Sequence, residues 1–336
     1  MITIYDSAKK CGVSPSTVSK VINNYDAIPE ETKEKVRTVM AELNYIPNVG
    51  AKSLSKGKSR NIGVLAYFGM NISPFKHALF TEILDSFQTE INEANYDLLF
   101  ISRNVDGQHG SFLKNCLSHD VAGVVLFGNF DHPEMKEVIS SPLPKVAFDY
   151  IGDSMTNVSS NSKHDMYELT KYLISLGHRN IVFVHGEPST VTGLRVDGFK
   201  NALAECGIPF NDQMLEEGRY FDTDSARNIT KKILKREDRP TAIMYPDDYS
   251  AIASLQVIAA SGLSCPDDIS ITGYDGLEVS QIVNPHLTTV RQDLNAIGKI
   301  LAKKLIEAIE KPNTPLSDTA LHSNLLIGES TDKPKK

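Results

Sequence analysis

From residue 61 onward the chain repeats one pattern: a short apolar run rich in Val, Ile and Phe, then an amphipathic stretch of about 10 to 18 residues. The runs are 62–68, 96–101, 123–127, 146–150, 181–185, 242–245 and 269–274. The amphipathic stretches are 77–94, 163–176, 194–205, 225–235, 249–260 and 294–309. Strands that alternate with helices in this way pair in parallel, with helices covering both faces of the sheet. There are too many units for one compact sheet, and 336 residues exceed one ordinary domain of about 150. The polar segment 152–162 reads as a crossing between two lobes. The expected body is therefore two doubly wound α/β lobes with a cleft between them, ligand sitting beyond the carboxyl ends of the strands.

The first 60 residues carry no strand signal and three helical ones, at 6–11, 15–22 and 29–43. Gly12-Val13-Ser14 reads as a turn. Ser14 suits an N-cap and Pro15 the first helical position. Val18 and Val21 share the inner face of the second helix, and Val36, Met40 and Leu43 that of the third. Two short helices about a glycine turn make a helix-turn-helix. The second leaves Ser16, Thr17 and Lys20 outward, groups able to reach base edges in a major groove. Residues 46–60 follow as a linker carrying Lys52, Lys56, Lys58 and Arg60. It reads either as a flexible basic tether, with Gly50 lowering its helicity, or as a short helix that orders on DNA and drives Leu54 into the minor groove.

Charge divides the same way. The net charge is −7, but residues 1–60 hold ten Lys/Arg against six Asp/Glu, and the remainder 25 against 36. A basic head on an acidic body points to nucleic acid at the head alone. The hydrophobic fraction of 41% allows a sizeable core. Four scattered cysteines, Cys11, Cys116, Cys206 and Cys265, make neither a disulfide scaffold nor a zinc cluster. The opening Met-Ile-Thr-Ile-Tyr-Asp does not read as a signal peptide, and no apolar run reaches about 18 residues, so a cytoplasmic protein with no membrane contact is expected. Nine isolated histidines, no nucleophile elbow and no phosphate loop leave no visible catalysis; neither enzyme activity, metal nor cofactor is expected.

The head, from Ile4-Tyr5-Asp6 through Gly12-Val13-Ser14-Pro15-Ser16-Thr17-Val18-Ser19 to Leu43-Asn44-Tyr45-Ile46-Pro47-Asn48, resembles the lactose-repressor family of bacterial transcription regulators. The resemblance continues through Leu176-Gly177-His178-Arg179-Asn180-Ile181, Arg195 with Gly198-Phe199, residues 269–275, and Pro285-His286-Leu287-Thr288-Thr289-Val290. It implies an all-α helix-turn-helix head (1–47), a hinge helix or linker (48–60) and a body of periplasmic-binding-protein type (61–336). Lobe one would take about 61–157 and 286–312, lobe two about 158–285 and 313–330. The implied partners are double-stranded operator DNA, a small-molecule effector and a second copy of the chain, as homodimer or tetramer. The DNA-facing candidates are Tyr5, Ser14, Ser16, Thr17, Lys20, Asn23, Leu54 and Lys56.

The same resemblance brings Ser73, Phe75, Asn161, Arg195, Phe221, Asp247 and Asp275 to the cleft. Asp247 and Asp275 both end strands, where ligand is expected, though either could instead cap the following helix. Arg195 could be a solvated cation, and Phe75 or Phe221 a core residue. Asp247-Asp248, Asp275-Gly276, Asn161-Ser162 and Ser55 depart from the family's usual residues, so no effector carries over. A carboxylate pair facing one arginine beside aromatic rings suits a neutral sugar. Control by a nucleobase or by a protein partner stays open. A sugar-binding transport protein would lack the DNA head, and a sugar kinase would need a phosphate loop.

Overall fold

The structure, a computed structural model, describes residues 2–22, 25–43, 45, 59–68, 73–102, 104–105, 108–312, 315 and 317–335. Two compact units form, Met1–Asn61 with His119–Ala122 and Ile62–Ser118 with Gly123–Lys336.

The first unit holds helices α1 (Ile4–Cys11), α2 (Pro15–Ile22) and α3 (Glu30–Glu42). The first begins two residues earlier than the apolar pattern indicates, because Thr3 and Asp6 form a capping box. The Thr3 amide donates to Asp6 Oδ2 at 2.8 Å and the Asp6 amide to Thr3 Oγ1 at 3.4 Å. Gly12 ends the helix at φ 69°, a left-handed turn that suits glycine. Ser14 caps α2 as its sequence suggests, accepting the Thr17 amide at 3.1 Å. Ala8, Cys11, Val18, Val21 and Val36 are fully buried together, which gives Cys11 a packing role. Met40 packs against them, whereas Leu43 is only half-buried at the end of α3.

The second unit is built on strands β1 (Asn61–Tyr67), β2 (Asp97–Phe100), β3 (Asn104–Val105), β4 (Gln108–His109), β5 (Val121–Gly128), β6 (Lys145–Phe148) and β7 (Thr156–Ser160), then β8 (Ile181–His185), β9 (Leu215–Glu217), β10 (Ala242–Met244), β11 (Ser270–Thr272), β12 (Thr289–Arg291), β13 (Thr319–Leu321) and β14 (Asn324–Leu326). Among the described residues one sheet has the order β13-β7-β6-β5-β1-β2 and the other β11-β10-β8-β9. Pairing is parallel, as in Val125↔Val146 and Ile243↔Ile271. Both sheets are wound alike: the strand that opens the winding, β1 or β8, lies between the next strand in sequence and the one after that. This makes β5 and β6 the counterparts of β10 and β11.

The polar segment expected as a crossing contains a strand. Thr156 and Asn157 are buried, and β7 pairs with β6 and β13. Hydrophobic pattern misses it because Val158 is the only apolar side chain in it and polar ones are buried beside it: the Asn157 amide donates to Asp318 Oδ1 and its Oδ1 accepts from the Tyr150 amide, both at 2.8 Å. The crossing itself falls at Asn161, after which the helix Ser162–Leu176 packs under the second sheet. The expected lobe limits also shift. Within 313–330, assigned to lobe two, Thr319–Leu321 adds an edge strand to the first sheet. Within 286–312, assigned to lobe one, Leu287 and Val290 bury in the cores of the second. Only the helix Leu294–Glu310 belongs with lobe one, against the helix Ala78–Glu93.

In each lobe one helix pair meets at a glycine. A Cβ on Gly198, in the helix Thr190–Glu205, would lie 2.1 Å from the Lys163 carbonyl. On Gly298 it would lie 2.1 Å from Ser86 Oγ and 2.3 Å from the Ile83 carbonyl.

Candidate functional site

In the head, Val18 and Val21 face inward on α2, which turns Ser16 and Lys20 to solvent and leaves Thr17 half-exposed. Thr17 Oγ1 lies 2.9 Å from Ser14 Oγ, so part of its hydrogen-bonding capacity serves the cap. Tyr5 on α1 is also exposed. Asn23, Leu54 and Lys56, expected at the DNA, lie outside the described residues.

In the body, a cavity of about 980 Å³ opens at the carboxyl ends of strands from both sheets. From lobe one come Phe68 after β1, His77, Asn129 after β5, and Asp149 with Tyr150 after β6. From lobe two come Glu187 after β8, Arg195, Tyr220, Phe221 and Asp275. Gln292 lines it from the segment after β12.

Arg195 is 5% exposed and is no solvated cation. Its Nη1 donates to the Pro246 carbonyl at 2.9 Å, and its guanidinium lies 3.6 Å from the centre of the Tyr274 ring. Burial disfavours its charge, yet Tyr220, Tyr274, Asp275 and Asp149 together outweigh that and hold its pKa above the usual value. Asp275, at φ 100°, accepts from Gln292 Nε2 at 2.7 Å. Gln292 Oε1 in turn accepts from Ser160 Oγ, which links the cleft to the crossing segment. Burial pushes Asp275 up to about 7 against the pull of Arg195, with Asp247 adding to the rise. Asp149 sits at φ 58° and is likewise pushed up to about 7 by burial, opposed by Arg195 and by the Ser160 amide. His77 is 8% exposed between Phe68 (ring centres 4.5 Å apart) and Phe221 (3.9 Å), and burial lowers its pKa to about 4. It is therefore neutral at pH 7.

Four polar atoms of this lining are buried without a hydrogen-bond partner: Arg195 Nε, Asp149 Oδ1, Asp275 Oδ2 and His77 Nδ1. Buried polar groups are otherwise almost always paired, so four such atoms on residues around one cavity are a departure from the ordinary.

Of the cleft residues expected from sequence, Arg195, Phe221 and Asp275 meet here; the other four do not line the cavity. Asp247 is consumed as the cap of the helix Asp248–Ala260, accepting from the Ser250 amide at 2.8 Å and Ser250 Oγ at 2.9 Å. Its other contact, the Phe221 amide at 2.8 Å, holds Phe221 in its left-handed turn at φ 57°. Ser73 and Phe75 are exposed, Phe75 packing on Phe100 at 4.8 Å, because the single turn Pro74–Lys76 rotates them away and presents His77 instead. Asn161 lines a separate outer groove with Lys163, His164 and Tyr167. Sequence reasoning missed His77, Asp149, Glu187, Tyr220 and Gln292. Asp149 and Glu187 follow strand ends and obey the rule that singled out Asp275.

Residues 3–48 match the lacI family of bacterial regulatory proteins, and residues 170–331 a periplasmic binding protein-like domain. The chain is 32% identical over 316 residues to the repressor PurR of Vibrio parahaemolyticus, covering 92% of each protein. It belongs to the lacI family. The ribose operon repressor of Haemophilus influenzae is 30% identical over 98% of both chains. The lac repressor dimer bound to operator and the anti-inducer ONPF superimposes with a TM-score of 0.82 at 26% identity, covering 98% of this chain and 99% of that one. As a lacI-family member the protein is a DNA-binding transcriptional repressor and not an enzyme. Among the described residues no helix is long and apolar enough to cross a membrane, and no group of three or more His, Cys, Asp or Glu could hold a metal ion.

Proposed function

We propose that this repressor binds a pseudo-palindromic operator as a homodimer and is switched by a neutral, polyhydroxylated ligand, a sugar, in the cleft between its lobes. The observation that supports the ligand reading is the set of four unpartnered atoms on residues that line one cavity: two carboxyl oxygens, one guanidinium N–H and one imidazole nitrogen. Carboxylates accept from hydroxyls, and arginine donates to ring or hydroxyl oxygens. Asp149, Asp275, Glu187 and Asp131 outnumber Arg195 and Lys136 in the lining, which disfavours phosphorylated ligands. Phe68, Phe221 and the His77 ring supply the apolar face.

In this reading Lys20, Ser16 and Thr17 of each subunit enter successive major grooves, with Leu54 wedging a central base step. Those stacked rings also favour a planar nucleobase as a second ligand class. Calorimetric titration of the full chain against neutral sugars, purines and sugar phosphates separates them. The expected result is a heat of binding with a neutral sugar. Binding of a purine or phosphate ester, with none for any neutral sugar, overturns the sugar reading.

A further inference from the structure

Among the described residues the chain passes between the two lobes three times: at 160–162 after β7, at 291–294 after β12, and at 321–324 between β13 and β14. The Asn161 amide donates to the Leu321 carbonyl at 3.0 Å and ties the first crossing to the third. Ser160 Oγ donates to Gln292 Oε1 and ties it to the second. Two residues of the cavity lining reach these crossings. Asp275 does so through Gln292 Nε2, at 2.7 Å.

Arg195 does so by a second row of contacts. Its guanidinium lies over the Tyr274 ring, 3.6 Å from the centre. The Tyr274 hydroxyl donates to Asp165 Oδ2 at 2.9 Å, and the same oxygen accepts from Ser323 Oγ at 2.8 Å. Ser323 stands in the third crossing, and the Asp165 amide donates to the Asn161 carbonyl of the first at 2.9 Å. Arg195, Tyr274 and Asp165 are all buried, so water does not compete for these contacts.

We propose that Asp165 and the Tyr274 hydroxyl are positioning residues: they fix Arg195 against the crossing at Ser323, so that effector displacing Arg195 moves the junction between lobes. This rests on the cleft being the effector site, and it adds a second link to the one through Asp275 and Gln292.

The placing of Asp165 carries the argument. It lies in the first turn of the helix Ser162–Leu176, where a carboxyl commonly serves the free helix amides. Here its Oδ2 takes two hydroxyls instead, from residues 109 and 158 positions away in the chain. The Tyr274 ring is thereby held at both ends, its face under the guanidinium and its hydroxyl on Asp165. Arg195 cannot shift with the ring unless the hydroxyl leaves Asp165 or Asp165 moves with it. Packed interiors change between discrete arrangements rather than bending, so such a row passes a displacement on.

The test needs no effector. Amide hydrogen exchange of the full chain is followed by mass spectrometry in peptides that cover 321–326 and, as reference, β10. Tyr274→Phe keeps the ring under Arg195 and removes only the hydroxyl. Exchange at 321–326 should rise about threefold or more while β10 keeps its protection. Arg195→Met should raise exchange in the same segment, and the double variant should go no further than the larger single, since both cut one row. Asp165→Asn keeps an oxygen for both hydroxyls and should retain the protection that Asp165→Ala loses. Exchange at 321–326 that is unchanged in Tyr274→Phe, that rises equally in β10, or that multiplies in the double variant would overturn the proposal. Failure of every neutral sugar in the calorimeter beside this exchange pattern would remove only the sugar reading.

Discussion

At the scale of single residues, Arg195 and its two carboxyls set the cleft's response to pH. The folded chain holds Asp149 and Asp275 near 7, above their ordinary 3.8, so between those values the native state keeps a proton that the unfolded state has released. Their contribution to stability is present at low pH and falls as pH rises through 7. Arg195→Met removes the cation whose pull opposes the rise of both carboxyls and leaves the Pro246 carbonyl without its donor, so at pH 8 urea unfolding should show a loss of about 1–3 kcal/mol. The loss should shrink at pH 5.5, where the carboxyls are protonated. His77 works in the opposite direction. Its folded pKa of about 4 lies below the ordinary 6.5, so its contribution is complete above 6.5 and is lost as pH falls toward 4. His77→Phe keeps a ring between Phe68 and Phe221 and should flatten this acid sensitivity, worth on the order of 3 kcal/mol at pH 4; unfolding midpoints from pH 7 to 4 check it. Arg195, Phe221 and Asp275 were legible in sequence because strand ends and the lacI-like landmarks point to them. Asp247 and Asp275 look alike at that level, but Ser250 three residues beyond Asp247 opens a helix that takes up its carboxylate. The turn that exchanges Phe75 for His77 has no periodic signal, so neither the loss of one nor the gain of the other could be read.

At the scale of elements, apolar periodicity located the longer helices and most of the core strands to within a few residues, but it passed over the short helices Phe112–Ser118 and Pro133–Ile139, although Phe112, Met135 and Val138 are buried. It failed at β7, whose five residues Thr-Asn-Val-Ser-Ser contain one apolar side chain and are kept by pairing to β6 and β13 and by bonds such as Asn157 amide to Asp318 Oδ1. It also gave no sign of how tightly helices meet. The close approach at Gly198 predicts that Gly198→Ala, harmless to helix propensity alone, forces the helices Ser162–Leu176 and Thr190–Glu205 apart. The expected loss is about 1–3 kcal/mol, measured by thermal unfolding. An unchanged melting temperature would mean that the pair is not held at that distance. In the head, α2 is short, capped by Ser14 and anchored by Val18 and Val21, so its exposed face can be altered without unfolding it. Lys20→Ala should therefore reduce discrimination between operator and unrelated DNA by roughly 1–3 kcal/mol while changing non-specific binding less. A competition assay with both DNAs reads the two effects separately.

At the scale of the whole molecule, a basic unit that reads DNA is joined to an acidic body that encloses a ligand cavity. Division into head and two-lobed body was legible in the charge split and the βα repetition. The limits of the lobes were not, because the chain passes between the two sheets more than once, and the returning segments 286–292 and 317–326 are too short to show a period. These segments meet at the crossing: the Asn161 amide donates to the Leu321 carbonyl at 3.0 Å, and Ser160, Gln292 and Asp275 form one hydrogen-bonded row into the cavity. A ligand that engages Asp275 therefore bears directly on the junction between lobes, which is where a switch must act. Occupancy of this cleft should govern DNA binding, which can be read from the affinity of the full chain for operator DNA selected from a random pool, measured by fluorescence anisotropy with and without a saturating cleft-binding sugar. The wild type should change at least tenfold, a coupling of about 1.4 kcal/mol or more, and Asp275→Ala not at all. An affinity that is the same with the cleft full and empty would contradict it.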